Sequence, residues 1–301
     1  MGTVESPLVV GVDGSDASLT ALDWAADEAA RHGWPLRIVH ASLWERYEGA
    51  VPAWTTDRPA DQVLAENIVG VAEERAVRRR PGLNVTTDVL AEDPSQGLLR
   101  EGSEAEALVV GSRGRSGIAD LLLGSVSLLV AARAHCPVVV IRGDRQALEA
   151  RHQRILLGLG DHDVDSPAVR FAFREATVRH AELEVLHVWR RPSHEPVEHP
   201  LLTGEATEYE QRASELLDRA LDAMVREHPA VRLRRSTAEG PARKVLTQRS
   251  AAADLLVVGA RRRGGLAGLE LGRVAHRVLH HAACPVAVVP RAHGSGGEDP
   301  S

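Results

Sequence analysis

Residues 111–127 read GSRGRSGIADLLLGSVS, with glycines at 111, 114, 117 and 124 and hydroxyls at Ser112, Ser116, Ser125 and Ser127. Glycine tolerates positive φ and lets other atoms approach the backbone, so such a segment can wrap around phosphate oxygens. Gly111 follows the apolar run ALVV, and Gly124-Ser125 opens the helix-like segment VSLLVAARA. A helix starting there directs free N–H groups and its positive dipole end toward the same spot, where a hydroxyl can cap it or donate to an anion. Upstream, Asp13 ends the apolar run in VVGVDGS. Each signal also has a plain structural reading: Asp13-Gly14-Ser15 is a turn before a helix, and short glycine motifs have many accidental matches.

The elements that must position these residues occur twice. LVVGVDGS (8–15) is echoed by ILLGLGDH (155–162), RIVHA (37–41) by EVLHV (184–188), ALVVGSRG (107–114) by LLVVGARR (255–262), and AHCPVVVIR (134–142) by AACPVAVVP (282–290). Gly11 and Gly158, like His40 and His187, are 147 residues apart; Gly111 and Gly259, like Cys136 and Cys284, are 148 apart. Landmarks kept in one order at one spacing indicate a duplication. Apolar runs near 7–12, 36–41, 84–90, 107–111 and 137–142 alternate with helix-period stretches such as 18–32 and 61–80. The second half repeats this with strands near 154–159, 183–188, 231–236, 254–258 and 285–289 and helices near 167–180 and 205–228. Near-continuous apolar strands separated by helices predict parallel sheets covered on both faces. The fold class is therefore α/β: two tandem open α/β/α domains, each with a five-stranded parallel sheet. The expected boundaries are 1–143 and 154–292, with a polar linker at 144–153 and a disordered tail at 293–301. The irregular stretch 42–60 reads equally as a ligand cover or a surface insertion.

The spacing of Gly111, Gly114, Gly124 and Ser125, with VVGVDGS at the start and HCPVVVIR at the close, resembles the ATP-binding signature of the universal stress protein family. The resemblance covers nearly the whole chain, as a tandem pair of Rossmann-like domains of the adenine nucleotide alpha hydrolase type. It implies adenine beside the first two strands and phosphates in the glycine loop. Carried to this sequence, Asp13 meets ribose or adenine, Gly11 permits close approach and Val39 lines the adenine pocket. Gly111, Ser112, Arg113, Gly114, Arg115, Gly117, Gly124, Ser125 and Ser127 surround the phosphates. The implied ligand is ATP, with Mg2+ left open. The family also implies pairing of the two lobes through their final strands.

The second loop differs. Gly259 and Gly272 keep their places, but Arg262 stands for Gly114, Arg273 for Ser125 and Gly160 for Asp13. Gly158, Gly259, Gly265 and Gly272 are its candidate contacts. Two readings stay open: a lobe that has lost ATP and serves as a pairing partner, which we prefer, or an anion site using Arg261, Arg262, Arg263 and Arg273 in place of amides.

Other chemistry is weakly supported. His40 and His187 read as strand-end structural residues, Asp161-His162-Asp163 as a solvated loop, and His280-His281 as groups at a helix C-terminus. Cys136 and Cys284, each before a proline, read as packing residues. There is no P-loop lysine motif, no GxGxxG after the first strand and no nucleophile elbow. A net charge of −6 and 3% aromatic residues give no bias toward nucleic acid. Two cysteines and the absence of a signal-like start predict a reduced, cytoplasmic protein without membrane or metal sites. The predicted role is a nucleotide-responsive regulator rather than an enzyme, with further self-association and an unidentified protein partner. A slow ATP hydrolase and a nucleotide-independent interaction protein stay as alternatives.

Overall fold

The computed structural model describes residues 6–43, 60–114, 123–161, 166–190, 203–260 and 271–291. The first lobe runs β1 (Leu8–Gly11), α1 (Asp16–His32), β2 (Leu36–Ala41), α2 (Ala60–Arg79), β3 (Val85–Leu90), α3 (Pro94–Glu101), β4 (Ala107–Gly111), α4 (Ser125–Arg133) and β5 (Val138–Ile141). A short helix α5 (Arg145–Leu148) sits in the connection. The second lobe follows as β6 (Arg154–Leu159), α6 (Pro167–Arg179), β7 (Glu182–Trp189), α7 (Thr203–Glu227), β8 (Leu233–Glu239), α8 (Ala242–Arg249), β9 (Leu255–Gly259), α9 (Arg273–His281) and β10 (Val286–Val289). The connection at 143–153 is more than a polar strap. Asp144 caps α5 by accepting from the Ala147 amide at 2.9 Å, and Ala147 is buried. The helices α3 and α8 went unmarked in the sequence because each spans only two turns; Asp93 and Pro94 fix the start of α3.

All pairings within a lobe are parallel, in the order β3-β2-β1-β4-β5 and, equivalently, β8-β7-β6-β9-β10. Strand order reverses between β1 and β4, so the carboxyl ends of those two strands frame a crevice. The two sheets join into one sheet of ten strands through antiparallel pairing of β5 with β10. There Val139 faces Ala287, its own repeat equivalent 148 residues on, so a pseudo-twofold axis passes between them. Arg142, at the end of β5, reaches across to donate to the carbonyls of Leu279 and Ala282 at the close of α9. That role at the helix end falls to Arg142 rather than to His280 or His281. Burial and neighbouring cations hold both histidines below their ordinary value.

The same axis brings α1 against α6 and buries a quartet of charges. Glu28 and Glu175 are repeat equivalents, as are His32 and Arg179. The Arg179 guanidinium lies 2.6 Å from Glu28 and 3.2 Å from Glu175. His32 Nε2 is 3.3 Å from both carboxylates, within reach of each but aligned with neither for an ideal hydrogen bond. The ring stacks on Trp34 at 3.9 Å, and Arg179 lies over Trp24. Glu28, His32 and Glu175 could in principle ligate a cation. Arg179, however, already supplies the positive charge between the carboxylates, so the group reads as a closed ion-pair network.

Burial opposes charge on His32, but Glu175 and Glu28 outweigh it and raise its pKa from 6.5 to about 9. A raised value means stabilisation that is full below 6.5 and lost as pH rises through about 9. The melting temperature is thus expected to fall between neutrality and that pH, and His32→Gln to flatten this slope. With one lysine and two tyrosines in the chain, few other groups titrate in that window. Arg179→Met, which leaves two buried carboxylates facing each other, should cost about 3–5 kcal/mol in denaturant unfolding.

Candidate functional site

The crevice at the ends of β1 and β4 is lined by Gly11, Val12, Asp13, Val39, Gly111, Arg113, Gly114, Gly124, Ser125 and Ser127, with Ala41, Pro94 and Leu98 on its apolar side. The fold thus brings nine of the contacts that the resemblance implies into one cleft. Asp13 performs two tasks there. Its Oδ1 accepts from the Ser15 amide at 3.0 Å and from the Ser15 hydroxyl at 2.6 Å, closing the turn into α1. Its Oδ2 faces Gly114, where an added Cβ would sit 2.7 Å away. Swinging the carboxylate clear would give up the Oδ1 bonds to Ser15 that close this turn.

The start of α4 forms the opposite wall. Gly124 occupies its N-cap and brings no side chain, and no side-chain oxygen caps the first turn. The amides of Ser125, Val126 and Ser127 therefore lie at an open, partly positive helix end. The Gly124 amide donates to Ser112 O at 2.8 Å, and the Ser112 amide to Ile141 O at 3.1 Å, so Ser112 closes the base of the loop by its backbone and does not line the cleft. The Ser127 hydroxyl donates to Gly111 O at 2.6 Å and fixes helix to strand. Arg115, Gly117, Gly265 and Arg261–Arg263 lie outside the described residues, as do His162, Asp163, residues 44–59 of the irregular stretch and the tail 293–301.

The glycines at the strand ends serve the protein's own packing. A Cβ on Gly11 would meet Leu98 Cδ1 at 2.9 Å, and one on Gly158 would meet Leu246 Cδ1 at 2.8 Å. A Cβ on Gly111 would strike the Ala17 backbone at 2.8 Å. The two strand histidines are structural, in matching ways. His40 Nδ1 donates to Val12 O at 2.8 Å and His187 Nδ1 to Leu159 O at 3.0 Å; a carbonyl only accepts, so Nδ1 carries the proton. Cys136 and Cys284 are buried free thiols, and burial pushes Cys136 up to about 11 and Cys284 further. That environment disfavours the reactive thiolate.

The family model described as the universal stress protein family matches residues 6–142 and again 151–290. The chain belongs to the universal stress protein family. Universal stress protein Rv2005c of Mycobacterium tuberculosis H37Rv is 38% identical over 290 residues, spanning 93% of this chain and 96% of that one. A universal stress protein of Mycolicibacterium smegmatis is 32% identical over 293 residues, spanning 95% and 97%. A crystal structure of a universal stress protein from Archaeoglobus fulgidus shares the fold, with a TM-score of 0.69 and 18% identity over 95% of this chain and 98% of that one. No helix among the described residues is long and apolar enough to cross a membrane.

Within this tandem universal stress protein the second cleft is built on the same frame. Gly158, Gly259, Gly272 and Arg273 line it beside Gly160, Asp161 and His187. The geometry of the first cleft explains why two of the second lobe's changes go together. A side chain at the Gly114 position collides with the Asp13 carboxylate, and the second lobe has Arg262 at that position and Gly160 in place of the aspartate. Gly114→Ala is expected to destabilise the first lobe by about 1 kcal/mol, through the lost carboxylate hydrogen bonds. Adding Asp13→Gly should abolish the steric part of that penalty, so a double-mutant cycle in urea should give a non-zero coupling. Strict additivity would show that the two positions do not meet.

Proposed function

We propose that the first lobe binds ATP and that the chain acts as a nucleotide-responsive regulator. The observation that carries this reading is the convergence, in one cleft, of an apolar shelf, a carboxylate and an uncapped helix start. Val12, Val39, Ala41 and Leu98 offer the shelf for an adenine ring. The open amides at the start of α4, with Arg113 beside them, suit the phosphates. Asp13 Oδ2 is placed for a ribose hydroxyl, or for a Mg2+ that takes its remaining ligands from phosphate and water. A nucleotide held this way bridges β1, β2 and the loop that follows β4. It would tie those elements together and so bias a surface that a partner reads. The second cleft has an arginine in place of Ser125 and a glycine in place of the acidic contact, which supports a pairing role for that lobe.

Calorimetric titration of the full chain should give one ATP per first lobe and a higher melting temperature, by about 2.7 kcal/mol of stability when ligand stands a hundredfold above Kd. Asp13→Ala should weaken binding about tenfold, one charge-assisted contact being lost. Ser125→Arg, which copies the second lobe, should weaken it at least as much. An unchanged melting curve at saturating ATP would instead support a nucleotide-independent interaction protein. Steady phosphate release from Mg-ATP, lost in Asp13→Ala, would make the protein a slow hydrolase.

A further inference from the structure

The second lobe carries a cationic groove that the first lobe lacks. It lies between α8 and α9, which pack against each other, and opens beside the second cleft through their shared lining residues Leu271 and Arg273. Arg243, Lys244, Arg273, His276 and Arg277 line it with Pro241, around a cavity of about 570 Å³. All five basic side chains are exposed, and no acidic residue is among the described residues lining the groove. On α9 the three basic positions are spaced i, i+3 and i+4, so they share one face.

These charges sit where a helix disfavours them. Arg273 is the first residue of α9, and Arg243 and Lys244 lie in the first turn of α8. Neither helix has an acidic residue in its first turn or a side-chain cap. Cations at a helix N-terminus oppose the dipole, and an anion bound there offsets both. The first lobe solves the same positions in the opposite way. Asp93 caps α3 by accepting from the Ser95 and Gln96 amides, and residues 125, 128 and 129 are Ser, Leu and Leu. The corresponding residues of the second lobe are Pro241 in place of Asp93, then Arg243, Lys244, Arg273, His276 and Arg277. Asp93 caps α3 where α8 has no side-chain cap, and positions without a basic residue in one lobe carry five basic residues in its copy.

We propose that this groove binds a chain of linked phosphates, with one end at Arg273 beside the second cleft and the rest along the facing side chains of α8 and α9. A single phosphate engages two or three donors; a row of cations spread over two helices in a cavity of ligand size fits consecutive phosphates. Arginine supplies forked donors to the phosphate oxygens, and Lys244 supplies a point charge. The chemistry is shared by a free inorganic oligophosphate and by the phosphate tail of a nucleotide seated in the second cleft.

The test is calorimetric titration of the full chain with inorganic tripolyphosphate, with and without saturating ATP. Saturable binding is expected, weakening as ionic strength rises. Arg243→Glu combined with Arg277→Glu should lower that affinity at least about tenfold, each removing a charge-assisted contact. Neither residue lines the first cleft, so ATP binding there, measured on the same variant, reports that the protein is folded. Binding that persists under ATP assigns the groove to free oligophosphate. Competition by ATP, with a second ATP equivalent, would place the phosphates in the second cleft itself and overturn both the separate groove and the pairing reading of that lobe. The proposal is overturned if tripolyphosphate binds the double variant as well as the parent, or if an acidic peptide binds the groove more tightly than tripolyphosphate. Weakened ATP binding in Asp13→Ala with tripolyphosphate binding intact would separate this site from the first cleft.

Discussion

The contact between β5 and β10 fixes everything else about the molecule's layout. Each lobe alone would end in a short, flat, wholly apolar edge strand, VVVI in one and VAVV in the other. Such an edge offers unpaired backbone donors and acceptors to any passing strand. Pairing the two edges antiparallel hides both and leaves β3 and β8 as the outer strands of the joined sheet. Those carry Asp88 and the run Leu233-Arg234-Arg235-Ser236, whose charges and hydroxyls discourage further strand addition. The two clefts, set at the carboxyl ends of inner strands, are held in a fixed mutual relation by this one seam.

Close to the seam the pseudo-symmetry breaks in an informative way. A true twofold dimer would place the same residue on each side of the axis. Here the acidic positions match, but one partner is a histidine and the other an arginine. Arg179 and His32, one from each lobe, each lie beside both carboxylates, and Arg31 adds a further contact to Glu28. Joining the halves in one chain allows such an unequal pair, because each half can then vary independently of the other. The ladder on the outer face of α1, where Arg75 meets Asp23 and Arg79 and Arg80 meet Asp27, is more exposed and contributes correspondingly less.

Much of this was legible in the sequence. The repeat spacing gave the two lobes, the apolar runs gave the strands within a residue or two except β8, which ends three residues later than expected, and the final strands pair as expected. Asp13, Gly111, Gly114 and Gly124 do converge. What escaped was anything that depends on which atoms meet across the fold. Glu28 and His32, four residues apart, look like a solvated helix face until α6 is laid over them. Gly11 and Gly111 read as places for a ligand to approach, yet the approaching atoms are Leu98 and the α1 backbone. A glycine's sequence signature is the same whether its neighbour is a ligand or the protein itself. The basic residues of α8 and α9 were hidden for a similar reason: they lie 30 residues apart and become one surface only when the helices pack.

The contact between Asp13 and Gly114 also gives the divergence of the two lobes a direction in time. A lobe that still holds the aspartate cannot accept a larger residue at the glycine position without losing the turn that the carboxylate closes. A lobe that has first lost the aspartate meets no such obstacle, and the glycine position is then open to drift, including to arginine. The less costly order of change therefore runs through the acidic position first and the glycine position second.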